Sequence, residues 1–151
     1  MSSVPVITID GPSGVGKGTL AQYLVCKTGF HLLDSGAIYR ALAYGAVKNE
    51  IALDDIPGLV ALSTHLPVEF KATSILYEGE DVTSKVRNEE VAAVASTVAV
   101  IPEVRAALLQ RQKDFANLPG LIKRSLYQAG RPKRKWRTFH LLSNYVFVGR
   151  N

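Results

Sequence analysis

The chain has 151 residues, of which 47% are hydrophobic and 21% charged, and its formal net charge is +5. This length suits one domain with a real core and is too short for two ordinary ones, and the composition excludes wholesale disorder. One cysteine, Cys26, cannot form an internal disulfide, and no cysteine–histidine pattern indicates a metal site.

No signal peptide or membrane span is expected. The amino terminus has no basic segment and only a short apolar run, and the longest stretch of small apolar residues, 91–101, is too short to cross a bilayer. We therefore expect a cytoplasmic monomer without membrane contact.

The basic excess is confined to the end of the chain. Residues 1–122 contain all 13 acidic residues and 10 of the 18 basic ones, a formal charge of −3, whereas residues 123–151 contain the other 8 basic residues and no acid. We therefore divide the chain into a main body, 1–122, and a divergent basic tail, 123–151, of undefined structure.

The first third of the chain predicts alternating strands and helices. A β-branched run over 4–9 is typical of a buried parallel strand. It leads through a glycine-rich loop into a helix on which Leu20 and Leu24 share a face, and Gly29 suits a left-handed cap at its end. A second strand is expected at 30–33.

The next helix is predicted over 37–48, with Asp34 and Ser35 as candidate N-caps. Strand, loop, helix, strand and helix in this order indicate a three-layer α/β/α domain with a parallel core sheet.

The middle of the chain predicts an insertion in this pattern. Asp54 and Asp55 are candidate caps of a short helix near 59–64. Alternating apolar residues over 67–78 predict a small antiparallel hairpin, which suggests a subdomain that covers a substrate.

Two further helices and a strand are expected before the basic tail. The first begins near Glu89, and Pro102 suits the first turn of the second, with Leu108 and Phe115 on its inner face. Gly120 begins the next core strand.

The glycine-rich loop has the strand–loop–helix context of a phosphate-binding P-loop. It comprises Gly11, Pro12, Ser13, Gly14, Val15, Gly16, Lys17, Gly18 and Thr19. Glycines let backbone N–H groups surround phosphate oxygens, and the helix that follows adds the positive end of its dipole. Lys17 would reach the β- and γ-phosphates of ATP, and Thr19 is a candidate for holding Mg²⁺ through a water.

A kinase that phosphorylates a nucleotide must also hold an acceptor phosphate, and the planar fork of arginine binds phosphate oxygens in pairs. The candidates in the main body are Arg40, Arg87, Arg105 and Arg111. Taken singly, each is more often a solvated surface residue.

The sequence around these positions resembles bacterial cytidylate kinases, which belong to the nucleoside monophosphate kinases of the P-loop class. The resemblance rests on residues 11–19 and 31–40 and continues through 78–82, Arg87, 90–91, 95–96, 104–105 and 118–122. The loop itself matches, because Gly18 stands between the lysine and the threonine as it does in that family.

The resemblance implies transfer of the γ-phosphate of ATP, with Mg²⁺, to CMP or dCMP. It implies that residues 11–19 bind ATP, that Ser35, Arg40, Ser96 and Arg105 bind the acceptor nucleotide, and that Lys17, Arg40 and Arg105 serve catalysis. It also implies that residues 63–95 form the monophosphate-binding insert. We expect Arg40 and Arg105 to converge on one phosphate.

The family pattern stops after Ile122, where an Asp-Gly-Arg-Asp stretch, a further strand and an arginine-rich lid would follow. Three interpretations of 123–151 remain open: a shifted reading frame, an appendage that binds nucleic acid through the basic cluster 131–137, or a divergent lid. An acid-free composition that begins within a strand favours the first. The DNA around codon 122, read in all frames, would separate them.

Two expectations follow for the protein. Without further strands, the helix faces that contain Leu108 and Phe115 should lose their cover, stability should be marginal, the tail should pack loosely, and turnover should be low. The alternative to a kinase is a nucleotide-binding fragment without catalysis whose basic tail binds RNA.

Overall fold

The structure is a computed structural model that describes residues 4–11 and 17–126. Its helices and strands are, in chain order, β1 (Val6–Gly11), α1 (Lys17–Thr28), β2 (His31–Asp34), α2 (Ala37–Lys48), α3 (Ile56–Thr64), β3 (Val68–Phe70), β4 (Ile75–Tyr77), β5 (Glu80–Asp81), a 3-10 helix (Lys85–Arg87), α4 (Glu89–Val98), α5 (Pro102–Asp114) and β6 (Leu121–Leu126). The predicted α/β fold class is confirmed.

The strands form one sheet in the order β1-β6-β2-β3-β4-β5. The last strand in the chain lies between the first two and is parallel to both, with Leu121 opposite Val6 on one side and His31 on the other. The remaining strands are antiparallel, and β3 joins β2 through the single pair Leu32 and Phe70.

The predicted hairpin over 67–78 is present as β3 and β4, and it extends the core sheet. Val68 and Phe70 are buried in the same hydrophobic cluster as Ile7 and Leu32. The strand β5 was not predicted, since a strand of two residues has no periodicity to detect.

The sequence did not indicate which side of α1 meets the sheet. Ala21 and Leu24 are buried, whereas Leu20 is 43% exposed. Residues 20 and 24 lie next to each other on the helix surface, as expected for positions four apart. The side of α1 that packs on the sheet contains Ala21 and Leu24, and Leu20 lies at its margin.

The predicted caps are mostly confirmed. Gly29 has φ +66°, and its N–H donates to Val25 O at 2.9 Å. Asp55 Oδ1 accepts a hydrogen bond from the Gly58 N–H at 3.0 Å. Ser35 is not a cap, because both its N–H and its hydroxyl donate to Arg124 O.

The expectation that α5 loses its cover is wrong. Leu108 is fully buried, since α5 packs against α3. The Phe115 ring, just after α5, lies 5.7 Å from the Phe70 ring, centroid to centroid. The hairpin and α3 therefore supply the cover that we expected from later strands.

The strand β6 continues to Leu126, four residues beyond the compositional boundary at Ile122. Lys123 and Arg124 are thus part of the core sheet. The rest of the basic tail, 127–151, lies outside the described residues. The expectation that the tail packs loosely concerns these residues and stays a prediction.

The contact between Gly45 and Tyr77 provides a test of the packing. A Cβ atom at Gly45 in α2 would collide with the Tyr77 hydroxyl, which burial leaves without a hydrogen-bond partner. Burial also raises the pKa of Tyr77. The nearby Asn49 amide donates to Gly45 O instead, at 2.7 Å.

We expect Gly45→Ala to destabilise the protein by about 1–3 kcal/mol, although alanine is normally the better helix former. Tyr77→Phe should be neutral or stabilising by about 1 kcal/mol, since it removes a buried polar group without a partner. The double variant should lose less stability than the sum of the two single changes, because the hydroxyl that the new Cβ would meet is gone. Urea unfolding measures all three, and an additive double variant would contradict the contact.

Candidate functional site

The strand and the helix that flank the predicted phosphate loop meet at the carboxyl edge of the sheet. The strand β1 ends at Gly11 and α1 begins at Lys17. Residues 12–16 and the Lys17 side chain lie outside the description. The first N–H groups of a helix have no partner within it, so this helix start is suited to an anion.

The carboxyl ends of the three parallel strands meet at this edge. Gly11 of β1 lies opposite Leu126 of β6, and Asp34 of β2 lies opposite Arg124 of β6. Ligands of open α/β sheets bind outside the carboxyl ends of the strands. The predicted site residues Gly11 and Ser35 are therefore at the expected edge.

Asp34 and Arg124 form the central ion pair of this edge. Asp34 Oδ2 accepts hydrogen bonds from Arg124 Nε at 3.0 Å and Nη2 at 2.6 Å. Asp34 Oδ1 accepts from the N–H groups of Gly36 and Ala37, where α2 begins. One carboxylate thus fixes both the start of α2 and the direction of an arginine.

Ser35 is held by the backbone of the same arginine. Its N–H donates to Arg124 O at 3.0 Å, and its hydroxyl lies 3.3 Å from the same oxygen. The longer contact is weak, so a ligand could take the hydroxyl at little cost.

Arg40 and Ser96 lie on two helices that pack against each other. Tyr39 and Ala43 of α2 contact Val91 and Ala95 of α4 in a small apolar cluster. Arg40 is exposed, and so is Ser96, whose hydroxyl donates to Ala92 O at 3.1 Å.

The position of Arg105 depends on the packing of α5 against α3. It is exposed in the first half of α5, which packs mainly against α3. The convergence of Arg40 and Arg105 on one phosphate remains a prediction.

Two exposed glutamates at the junction of β4 and β5 are paired with lysines. Lys48 Nζ lies 3.0 Å from Glu78 Oε2, and Lys85 Nζ lies 2.9 Å from Glu80 Oε1. These hydrogen bonds raise the pKa of both lysines and lower the pKa of Glu80. Exposed pairs of this kind contribute little to stability, but they leave these lysines less available to a ligand.

A cavity of about 500 Å³ lies elsewhere, between β2, β3 and α5, and includes His31, Arg111 and Phe115 in its lining. None of the predicted site residues within the described part of the chain lines it. The Arg111 guanidinium is engaged there with Leu66 O at 3.0 and 3.2 Å. Arg111, one of the four candidate arginines, thus holds the backbone carbonyl of Leu66.

Sequence reasoning missed Arg124. Its position as the fourth residue of the strand that begins at Leu121 could have placed it near the carboxyl edge, but the change in composition at residue 123 assigned it to the tail. Its place at the edge follows from the register of β6 against β2. That register can be predicted only when the ends of both strands are known.

Within residues 4–11 and 17–126, no cluster of three or more histidine, cysteine or acidic residues could hold a metal ion. In the same residues no single helix is long and apolar enough to span a membrane, although the pair α4 and α5, bent by 104°, passes that test jointly.

The parallel core, the strand–loop–helix junction at its carboxyl edge and the helices beside it define a P-loop kinase fold. Comparison with known proteins defines the family. The family model for cytidylate kinase matches residues 7–124, so the match extends through Arg124. The chain belongs to the cytidylate kinase family.

Individual relatives agree. The chain is 53% identical over 122 residues to the cytidylate kinase of Photobacterium profundum, covering 78% of the chain and 54% of the relative. It is 52% identical over 122 residues to that of Aliivibrio salmonicida, with the same coverage of each. For Klebsiella pneumoniae the identity is 50% over 125 residues, with 80% and 55% covered. The chain spans about half the length of these relatives.

Proposed function

We propose that this chain contains the ATP-binding and acceptor-binding part of a kinase that transfers the γ-phosphate of ATP to CMP or dCMP. The observation that carries the proposal is the match over residues 7–124 to cytidylate kinases. The strand–loop–helix junction at the carboxyl edge of the sheet supports it.

The proposed roles divide the two substrates between two parts of the edge. Residues 11–19 bind the phosphates of ATP, with Lys17 following the transferred group. Ser35, Arg40, Ser96 and Arg105 bind the acceptor. The exposure of Arg40 and Arg105 supports this role, since an anion from solution reaches them without displacing a protein partner.

Phosphoryl transfer between two polyanions needs positioning and neutralisation of charge more than covalent help. The acceptor is already a phosphate oxygen, so no general base is required. Lys17 therefore holds one phosphate while Arg40 and Arg105 orient the other.

Thr19 is the residue proposed to hold Mg²⁺, through a water. Its side chain is exposed in the first turn of α1, and its hydroxyl is the hard oxygen donor that this ion accepts. Magnesium keeps several waters and phosphate oxygens, so one protein oxygen suits it, and when bound it neutralises phosphate charge.

The ATP site is tested by Lys17→Ala. We expect ATP affinity, measured by calorimetry, to fall by roughly ten- to a hundred-fold because a charge-assisted contact to phosphate is lost. Lys27→Ala is the matched control at the other end of α1, where the lysine lies over the Tyr23 ring. Equal ATP affinities in both variants would exclude a P-loop role for Lys17.

The acceptor site is tested by Arg40→Gln and Arg105→Gln. Each should weaken CMP binding about ten- to a hundred-fold, with ATP binding unchanged. Lys113→Gln, an exposed change in the last turn of α5, serves as the control. If only one arginine variant weakens CMP binding, the two do not share a phosphate.

Turnover decides between a working kinase and a fragment that only binds nucleotides. In a coupled ADP-release assay we expect low CMP-dependent turnover from the 151-residue chain, because the family's lid arginines are not matched in its basic tail. Joining residues 1–124 to the remaining part of the Photobacterium relative should raise it. Ordinary turnover by the chain alone would mean that the tail supplies a working lid.

A further inference from the structure

A small cavity of about 60 Å³ lies beside the carboxyl edge of β2 and β6. Of the residues proposed to bind ATP or CMP, none that the structure describes lines it. We propose that this cavity, called here the cationic cavity, binds one tetrahedral oxyanion of the phosphate class through Lys71, Arg87 and Arg124.

Three separate elements bring cations to the cationic cavity. Lys71 lies in the turn between β3 and β4, Arg87 in the 3-10 helix and Arg124 in β6. Among the described lining residues Asp34 is the one carboxylate, so these residues carry a formal excess of two positive charges. Like charges gathered in a concave site raise the local concentration of anions.

Arg124 is an oriented cation. Its Nε and Nη2 are held by Asp34, and the side chains of Arg124 and Asp34 are only 25% and 18% exposed. The remaining nitrogen, Nη1, lies toward the start of α1, 3.3 Å from where a Cβ of Gly18 would be. Because Asp34 fixes the guanidinium in advance, little conformational freedom is lost when an anion binds.

The opposite wall is fixed by hydrogen bonds of the hairpin. The Lys71 N–H donates to Ser74 O at 2.8 Å and closes the turn. Thr83 Oγ1 accepts from the Ile75 N–H at 2.9 Å. These bonds hold the turn at the base of the Lys71 side chain, so the wall does not have to be ordered by the ligand.

The size of the cavity limits the ligand. A single water needs roughly 10–15 Å³ measured in the same way, so about 60 Å³ holds one small group and not a nucleoside. The chemistry therefore points to a phosphate group, either free inorganic phosphate or the phosphate of a nucleotide whose base lies outside. The proposal rests on charge and geometry and stands independently of the proposed kinase activity.

The probe is inorganic phosphate added to the full ¹⁵N-labelled chain at constant ionic strength, followed by amide chemical shifts. We expect saturable shifts at residues 71–74 and 83–87. Arg87→Gln, an exposed change that leaves no buried charge, should weaken phosphate affinity about ten-fold, as should Arg124→Gln. Lys113→Gln, on α5 and outside the cavity lining, should leave it unchanged.

The source of the phosphate is assigned by competition. If CMP, but not cytidine, displaces inorganic phosphate, the cavity holds a nucleotide phosphate; if CMP binds without displacing it, the ligand is free phosphate. The proposal is overturned if the shifts do not saturate, or if Arg87→Gln binds phosphate as tightly as Lys113→Gln. Circular dichroism checks that Arg124→Gln is folded, and Lys17→Ala, which impairs only the ATP site, should still bind phosphate in the cavity.

Discussion

The insertion of β6 between β1 and β2 is the constraint on which the other elements depend. Its residues Leu121 and Ile122 are 4% and 0% exposed, and its parallel pairing on both sides brings three carboxyl ends to one edge. Since α1 and α2 begin just beyond that edge, β6 determines how far apart the two helix starts lie. A chain without this strand would leave β1 and β2 unjoined and would separate the phosphate loop from Ser35.

The polar contacts at the edge follow from the same register. Asp34 faces Arg124 because β2 and β6 pair there, and Asp34 also fixes the start of α2. A partly buried ion pair is weak evidence for stability, because the charges lose hydration when they are buried. Its clearer effect is on direction: Arg124 is held in one orientation, so part of the ordering that anion binding requires is already complete in the fold.

The sequence allowed much of this fold to be predicted, because α2, α4 and the hairpin have strong periodicity. The exposure of Leu20 could not be predicted, because a leucine pair four residues apart does not show which side of the helix meets the sheet. The cover of Leu108 was missed since it depends on how α3 and α5 pack. Arg124 was assigned to the tail because composition changes at residue 123, whereas hydrogen bonding continues to Leu126. The ends of strands and the angles between packed helices are determined by tertiary packing, which local sequence patterns do not encode.

Local charge pairing bears on the proposal that a main body with a formal charge of −3 binds polyanions. Fields from distant charges are screened within about 8 Å at physiological ionic strength, so the local arrangement matters more than the total. Lys48 and Lys85 are paired with glutamates on the hairpin. Among residues 4–11 and 17–126, Arg40 and Arg105 form no ion pair, and Arg124 has one that orients it. Two glutamates are thus paired with lysines, while the guanidinium groups of Arg40 and Arg105 remain exposed.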